Sequence, residues 1–312
     1  MMRRLTVPAL AMLMVGYAAV LPAHAQADFS GVWQPRYHED QPERIPGPEL
    51  RDYLGLPIND AARQFADSWD PSRIALPEEQ CRVHVAPYIY RGPTNLRIWE
   101  DRTPKTQDLV AIKHYNSTYE QTRTIYMDGR PHPGPNAAHT WMGFSTGRYD
   151  GDMLIVETTH LKQGWVRRNG LPMSDRAKLT EYFVRFGDIL TMTTVLEDPV
   201  YLTEPLVKSQ EFVRSQRELP AGTWLWVCDP VVEIASQEPG AVPAYLPGEH
   251  PFTDEFARRH GIPDVAVRGG AATMYPEFRD VLKTAPKPAP LPPPQAGASR
   301  VLGGGQQQTQ GR

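Results

Sequence analysis

Several stretches between Leu109 and Leu196 alternate apolar and polar residues with the two-residue period of half-buried strands. Leu109 to Tyr115 and Ser117 to Met127 read as strands, with Thr118, Thr122 and Thr124 on one face and β-branched or aromatic residues supplying the propensity. Asp128-Gly129 interrupts the pattern. Ser145 to Tyr149 then runs into Asp150-Gly151, a strong hairpin signal, followed by the apolar stretch Met153 to Val156. Leu179 to Phe186 and Ile189 to Leu196 repeat this grammar around the two-residue turn Gly187-Asp188, and Glu211 to Arg217 and Thr223 to Cys228 add further strands. Successive hairpins build a meander, and a meander of seven or more strands hides its edges by curling shut. The expected fold is mainly β: an antiparallel up-and-down β-barrel with long Pro-rich loops and a few short helices. A β-sandwich is the alternative.

The flanks carry less periodicity. Residues 28 to 108 are irregular and proline-punctuated, with short helices expected from Pro48 to Leu54 and from Asp60 to Trp69, the second capped by Asp60. Another is expected from about Thr253 to His260, stopped by Gly261 and Pro263. Residues 28–280 are read as a single barrel domain. Residues 285–312 are Pro-rich, then Gly/Gln-rich; they can bury almost nothing and are expected to be a disordered tail. At the other end, Arg3 and Arg4 precede an apolar run from Val7 to Leu21, with small residues at Ala23 and Ala25. The run is shorter than the ~20 residues that span a bilayer, so residues 1–25 read as a cleaved signal peptide rather than an anchor. A periplasmic or secreted chain with no transmembrane segment is the consequence.

Composition narrows the chemistry. With 33 Lys+Arg against 36 Asp+Glu the chain has no basic footprint, which excludes nucleic acid as its main partner. Its 32 prolines are roughly double the usual share and argue against a helical bundle. Two cysteines make neither a disulfide-dense scaffold nor a four-thiolate zinc site. In an oxidising compartment their even number favours one Cys81–Cys228 bridge, worth on the order of 4 to 5 kcal/mol in the chain-entropy model.

The segment Asp28-Phe29-Ser30-Gly31-Val32-Trp33 resembles the Gly-x-Trp opening of lipocalin-like, or calycin, barrels. In those barrels the Trp plugs the closed end and a late-strand Arg packs on it, a role open here to Arg185 or Arg214. A second resemblance rests on Asp128-Gly129-Arg130-Pro131-His132-Pro133 and Gly147-Arg148-Tyr149-Asp150-Gly151-Asp152. Together with Ser174-Asp175, Glu181, Glu197-Asp198-Pro199 and the two cysteines, they are similar to a large family of uncharacterised secreted bacterial proteins. The similarity runs over roughly residues 28–228. That family commonly has His where Phe144 stands and Thr where Met153 stands. The resemblance implies a secreted, β-rich, lipocalin-like fold and no established reaction.

Candidate chemistry comes from residue types. The densest polar cluster is Arg130, His132, His139, Arg148, Asp150, Asp152 and Glu157. A His oriented by a carboxylate titrates near neutrality and suits a general base, while an Arg can hold a carboxylate or oxyanion with two parallel hydrogen bonds. Catalytic candidates are therefore His132, Asp152, Arg130, His139 and Arg148. The competing reading makes Asp128 and Asp150 turn residues braced by the arginines. Trp141, Tyr126, Glu181 and Arg185 are the ligand-binding candidates. The spacing of His132 and His139 through Pro133-Gly134-Pro135 matches no standard metal pattern, and no phosphate loop or dinucleotide fingerprint occurs, so neither metal nor cofactor is expected. Ser145 lies in a Gly-x-Ser-x-Gly match, but a hairpin follows it instead of the helix a nucleophile elbow requires.

Three functions remain open. The leading one is an exported barrel binding a small apolar or aromatic molecule in its interior. The others are a cofactor-independent lyase, isomerase or hydrolase using the His-Asp-Arg cluster, and an envelope interaction protein without a cavity. The facing of the strands separates them. Ionisable groups pointing inward favour the enzyme, an apolar lining favours the binder, and a filled interior favours the interaction protein.

Overall fold

A computed structural model describes residues 26–36, 49–70, 73, 79, 82–86, 88–91, 95–116, 121–167, 169–216, 244–250 and 254–291. The signal segment, Cys81, Cys228, the Thr223 to Cys228 strand and residues 292–312 lie outside the described residues. The strands are β1 Gly31–Arg36, β2 Leu96–Arg102, β3 Leu109–Asn116, β4 Gln121–Tyr126, β5 Phe144–Asp150 and β6 Met153–Thr159. They continue with β7 Gly164–Trp165, β8 Pro172–Met173, β9 Lys178–Phe186, β10 Ile189–Glu197 and β11 Leu206–Arg214. All but β7 and β8, which pair with each other, form one closed ring in chain order, with β11 returning to β1. A single closed ring replaces the sandwich alternative.

The alternation expected of each strand is present. In β10, Leu190, Met192, Thr194 and Leu196 are buried and face inward, while in β9 Leu179, Glu181 and Phe183 do so. The hairpin turns carry the glycines. Asp150 pairs with Met153, so the turn is Gly151-Asp152, one residue later than the sequence suggests, with Gly151 at φ +59° in the first central position. Phe186 pairs with Ile189 around Gly187-Asp188, as expected.

One pair departs from the antiparallel expectation. β4 and β5 run parallel, joined only at Ile125–Ser145 and Tyr126–Thr146. The reason is partly arithmetic: a ring of nine strands cannot alternate direction all the way round, so one junction must be parallel. It falls where Pro131, Pro133 and Pro135 remove the N–H donors that an antiparallel return would need. The chain instead comes back outside the barrel before β5 begins.

Trp33 lies fully buried near the end closed by residues 26–30. Its indole N–H donates to the Phe29 carbonyl at 2.9 Å, and the guanidinium carbons of Arg185 and Arg214 lie 5.6 and 6.0 Å from its ring. Both arginines take the expected place. Arg185 also donates to the carbonyls of Gly187 and Asp28, tying the β9–β10 turn to the entering chain. Gly31 has φ +134°, which side-chain-bearing residues rarely adopt, so the glycine of Gly-x-Trp is a backbone requirement. Phe29 packs between Tyr149 and Phe183 and seals this end.

Helices are few. Residues 49–54 form turns rather than the expected helix, because Arg51 sits at φ +64°. Helix α1, Asp60–Asp67, is capped by Asn59, whose side chain accepts from Ala62 N–H at 3.0 Å, and Asp60 falls in its first turn. α2, Glu255–His260, ends at Gly261 in the left-handed region, and α3, Asp264–Val267, and α4, Phe278–Thr284, follow. The strand expected from Glu211 to Arg217 begins earlier, directly after Pro205. Beyond α4 the first part of the expected tail turns back: the Ala289 and Pro290 carbonyls accept from Arg258, each at 3.1 Å.

Candidate functional site

The interior is graded along the barrel axis. Toward the closed end it is lined by Ile112, Ile125, Leu154, Phe183, Leu190 and Phe212. Toward the opposite mouth the same faces carry His114, Arg123, Ser145, Thr158, Glu181 and Thr194. At the rim Leu179, Leu196 and Leu206 restore an apolar wall beneath the loops that hold Tyr88 and Val166.

Arg123 organises the polar belt. It is 1% exposed and Glu181 is 0% exposed. Every N–H of the guanidinium is engaged: Nε donates to Ser145 Oγ at 3.0 Å, Nη1 to Tyr90 Oη and Glu181 Oε1 at 3.1 Å each, and Nη2 to Thr158 Oγ1 at 2.6 Å and to Glu181 Oε2. Burial alone would push the guanidinium toward deprotonation, but Glu181 and Tyr90 outweigh it and the net shift is upward. Burial, opposed by Arg123, raises Tyr90. Ser145 therefore has its oxygen occupied by the guanidinium and by Thr158 at 2.9 Å.

Tyr90 passes the order on to His114. Since its oxygen accepts from Arg123, its O–H is directed at His114 Nδ1, 3.1 Å away. His114 is buried, and burial first, then Arg123, lower its pKa well below the ordinary histidine range. A neutral ring accepting at Nδ1 carries its proton on Nε2, which has no partner among the described residues. Gln121 and Gln210 are likewise buried with both side-chain polar atoms unpartnered among the described residues. Gln210 lines a cavity of about 30 Å³ together with Tyr88, Val166, Met192, Thr194, Leu196, Leu206, Lys208 and Ser209. That is room for about two waters.

The cluster foreseen as catalytic lies elsewhere. His132 sits on the outer face of the β5–β6 pair, its Nδ1 2.7 Å from Thr159 Oγ1 and its Nε2 2.9 Å from Thr146 Oγ1. His160, not foreseen, approaches the same Thr159 hydroxyl at 2.8 Å and reaches the Gly134 carbonyl with Nε2 at 3.0 Å. That carbonyl can only accept, so the neutral chain has one sense: Thr146 O–H to His132, His132 N–H to Thr159, Thr159 O–H to His160, His160 N–H to Gly134. His139 donates to the Leu161 carbonyl at 2.8 Å, its ring 5.2 Å from that of His160. The result pins the 127–143 loop to β6. Burial lowers the His132 pKa, with Glu157 opposing and His160 adding to the shift.

Other candidates scatter. Arg130 is exposed, ion-paired with Asp128 and stacked 3.8 Å over Tyr126, which packs on Phe144. Asp152 is an exposed turn residue and Arg148 an exposed residue on β5, and the hydrogen bonds of His132 and His139 go to Thr159, Thr146 and the Leu161 carbonyl instead. Trp141 is half-buried on the outside, with Lys162 and Arg82 at 4.9 and 5.8 Å from its ring. Of the ligand-binding candidates only Glu181 faces the polar interior. Asn116 is buried and donates to the Ile89 carbonyl. Among the described residues no three His, Cys, Asp or Glu side chains converge as metal ligands would. Sequence reasoning missed Arg123, Tyr90, His114 and Gln210, although the alternation that turns Thr122 and Thr124 to one face turns Arg123 to the other.

No protein-family model matches the chain, and neither does any curated protein. Among solved structures it is similar to the crystal structure of a point mutant of the fluorescent protein UnaG, at 12% identity and a TM-score of 0.27, over 61% of this chain and 97% of that one.

Two predictions follow from the geometry of the belt. Glu181→Leu leaves a buried guanidinium uncompensated and should cost about 3 to 5 kcal/mol in urea unfolding, whereas Arg123→Met with Glu181→Leu should lose clearly less than the two single changes summed. Additive losses would show that the pair is not coupled. The second concerns pH. His114 and His132 have folded-state pKa values below their unfolded ones, so their stabilisation is complete above about pH 6.5 and is lost as pH falls through the folded values. Stability should decline on acidification below about pH 6.5, and His114→Asn, which keeps an acceptor for Tyr90 without titrating, should flatten that decline. An unchanged slope in the variant would remove His114 from the account.

Proposed function

We propose that the mature chain is an exported barrel that binds a small, largely apolar or aromatic molecule in the mouth half of its interior. The observation that carries this reading is Gln210: a buried carboxamide without a partner, facing a cavity whose other walls are mostly apolar. Buried polar groups are nearly always satisfied, so one left unpaired beside interior space suggests a group supplied from outside the chain. The cavity is smaller than such a molecule, so binding requires walls that can give way, and Tyr88 and Val166 come from loops rather than barrel strands. The Trp33–Arg185–Arg214 arrangement supports the calycin-like resemblance.

Export to the periplasm or beyond, with a Cys81–Cys228 bridge, belongs to the same proposal and rests on the signal-like first 25 residues and the pair of cysteines. The acid–base alternative has less support, because Asp152 and Arg148 stand apart from the histidines, and Arg130 is engaged by Asp128. Native mass spectrometry of the chain recovered from the envelope of an exporting host tests the binding reading. The expected spectrum contains a one-to-one complex with a small molecule, which disappears when Thr194→Phe fills the cavity in a folded variant. A bare chain, or added mass that survives this filling, would count against interior binding.

A further inference from the structure

We infer that the interior ligand presents a neutral amide or lactam edge, paired with the Gln210 carboxamide, and not a carboxylate. This inference rests on the interior-binding reading and adds the chemistry of recognition. Gln210 is 3% exposed, and both its Oε1 and Nε2 lack partners among the described residues. A donor and an acceptor held side by side are complemented by a group that offers an acceptor and a donor side by side, which an amide does with two hydrogen bonds. A carboxylate supplies only acceptors, so it would set one of its oxygens against Gln210 Oε1. A hydrocarbon would leave both Gln210 atoms unmet.

Charge points the same way. The buried cation of the belt, Arg123, has every N–H engaged and is neutralised by Glu181, so it has no donor to turn toward an incoming anion. Lys208, the cation of the cavity wall, has an interaction of its own. A buried carboxylate would therefore have to draw Lys208 from that interaction to regain a counter-charge, whereas a neutral amide needs none. The ligand's body is set by the remaining walls: Tyr88, Met192, Leu196 and Leu206 offer an aromatic face, a pliant thioether and two branched aliphatic chains. That surface suits a flat apolar or aromatic body attached to the amide.

Three probes of nearly equal shape separate the possibilities: benzamide, benzoate and toluene, titrated against the full mature chain by ligand-observed NMR. The wild type should bind benzamide at least about tenfold more tightly than either of the others, a difference of about 1.4 kcal/mol. In Gln210→Leu benzamide should lose that advantage and toluene should bind the more tightly of the two. The same variant should melt no lower than the wild type, because the change removes an unpaired polar group. If Gln210→Leu does not fold, Gln210→Met serves the same comparison. Benzoate or toluene binding the wild type as well as benzamide does, or a benzamide preference that survives the substitution, would overturn the amide assignment while leaving interior binding intact. Failure of all three probes to bind the wild type would instead overturn the interior-binding reading, and this inference with it.

Discussion

A guanidinium placed inside a β-barrel must be fully satisfied, and the mouth half of this protein is arranged around that demand. Arg123 projects inward from β4 and reaches β9 through Glu181, β6 through Thr158, β5 through Ser145 and the 88–91 segment through Tyr90. A one-residue slip of any of these strands would turn its contributor outward and strand a buried charge. The ion pair is thus better regarded as a specifier of register than as a source of net stability, since desolvating both charges offsets much of their attraction. It also holds together the one weak seam of the ring. β4 and β5 share only two paired positions, and the Arg123–Ser145 contact crosses that seam from within.

The same closure of donors and acceptors shapes what the interior can recognise. With Arg123 neutralised and Tyr90 directed at His114, the belt is polar without presenting charge. The group that faces the interior cavity without a partner among the described residues is the carboxamide of Gln210, between mostly apolar walls. The outer histidine chain is a separate construction. It fastens the loop that the parallel junction makes necessary, with Thr159 between the imidazoles of His132 and His160. Topology, loop anchoring and acid sensitivity are linked through that junction.

Much of the barrel was legible in the sequence because hairpin turns and strand alternation are local signals. Gly151 and Gly187 mark their turns, and Trp33 with Arg185 and Arg214 could be read from a short motif and two late-strand arginines. The parallel junction was not legible, since it follows from closing an odd ring, a property of no single segment. The site was harder still. Arg130, His132, Arg148 and Asp152 cluster in sequence, yet they fall on the outer 127–143 loop, the solvent face of β5 and a hairpin turn, while Arg123, His114, Glu181 and Gln210 are dispersed in sequence and turned into the interior by closure. Proximity along the chain favoured the wrong set. Tyr90 gave no periodic signal at all, because it enters from a 3-10 turn rather than a strand.

The central claim is that one hydrogen-bond order runs from Arg123 through Tyr90 to His114. Nitrogen-15 NMR of the His114 ring tests it most directly, because the two ring nitrogens report separately on protonation and tautomer. The expected ring is neutral and protonated on Nε2 at about pH 7, with any titration displaced well below the ordinary histidine range. A proton on Nδ1, or a titration midpoint near the ordinary value of about 6.5, would contradict it.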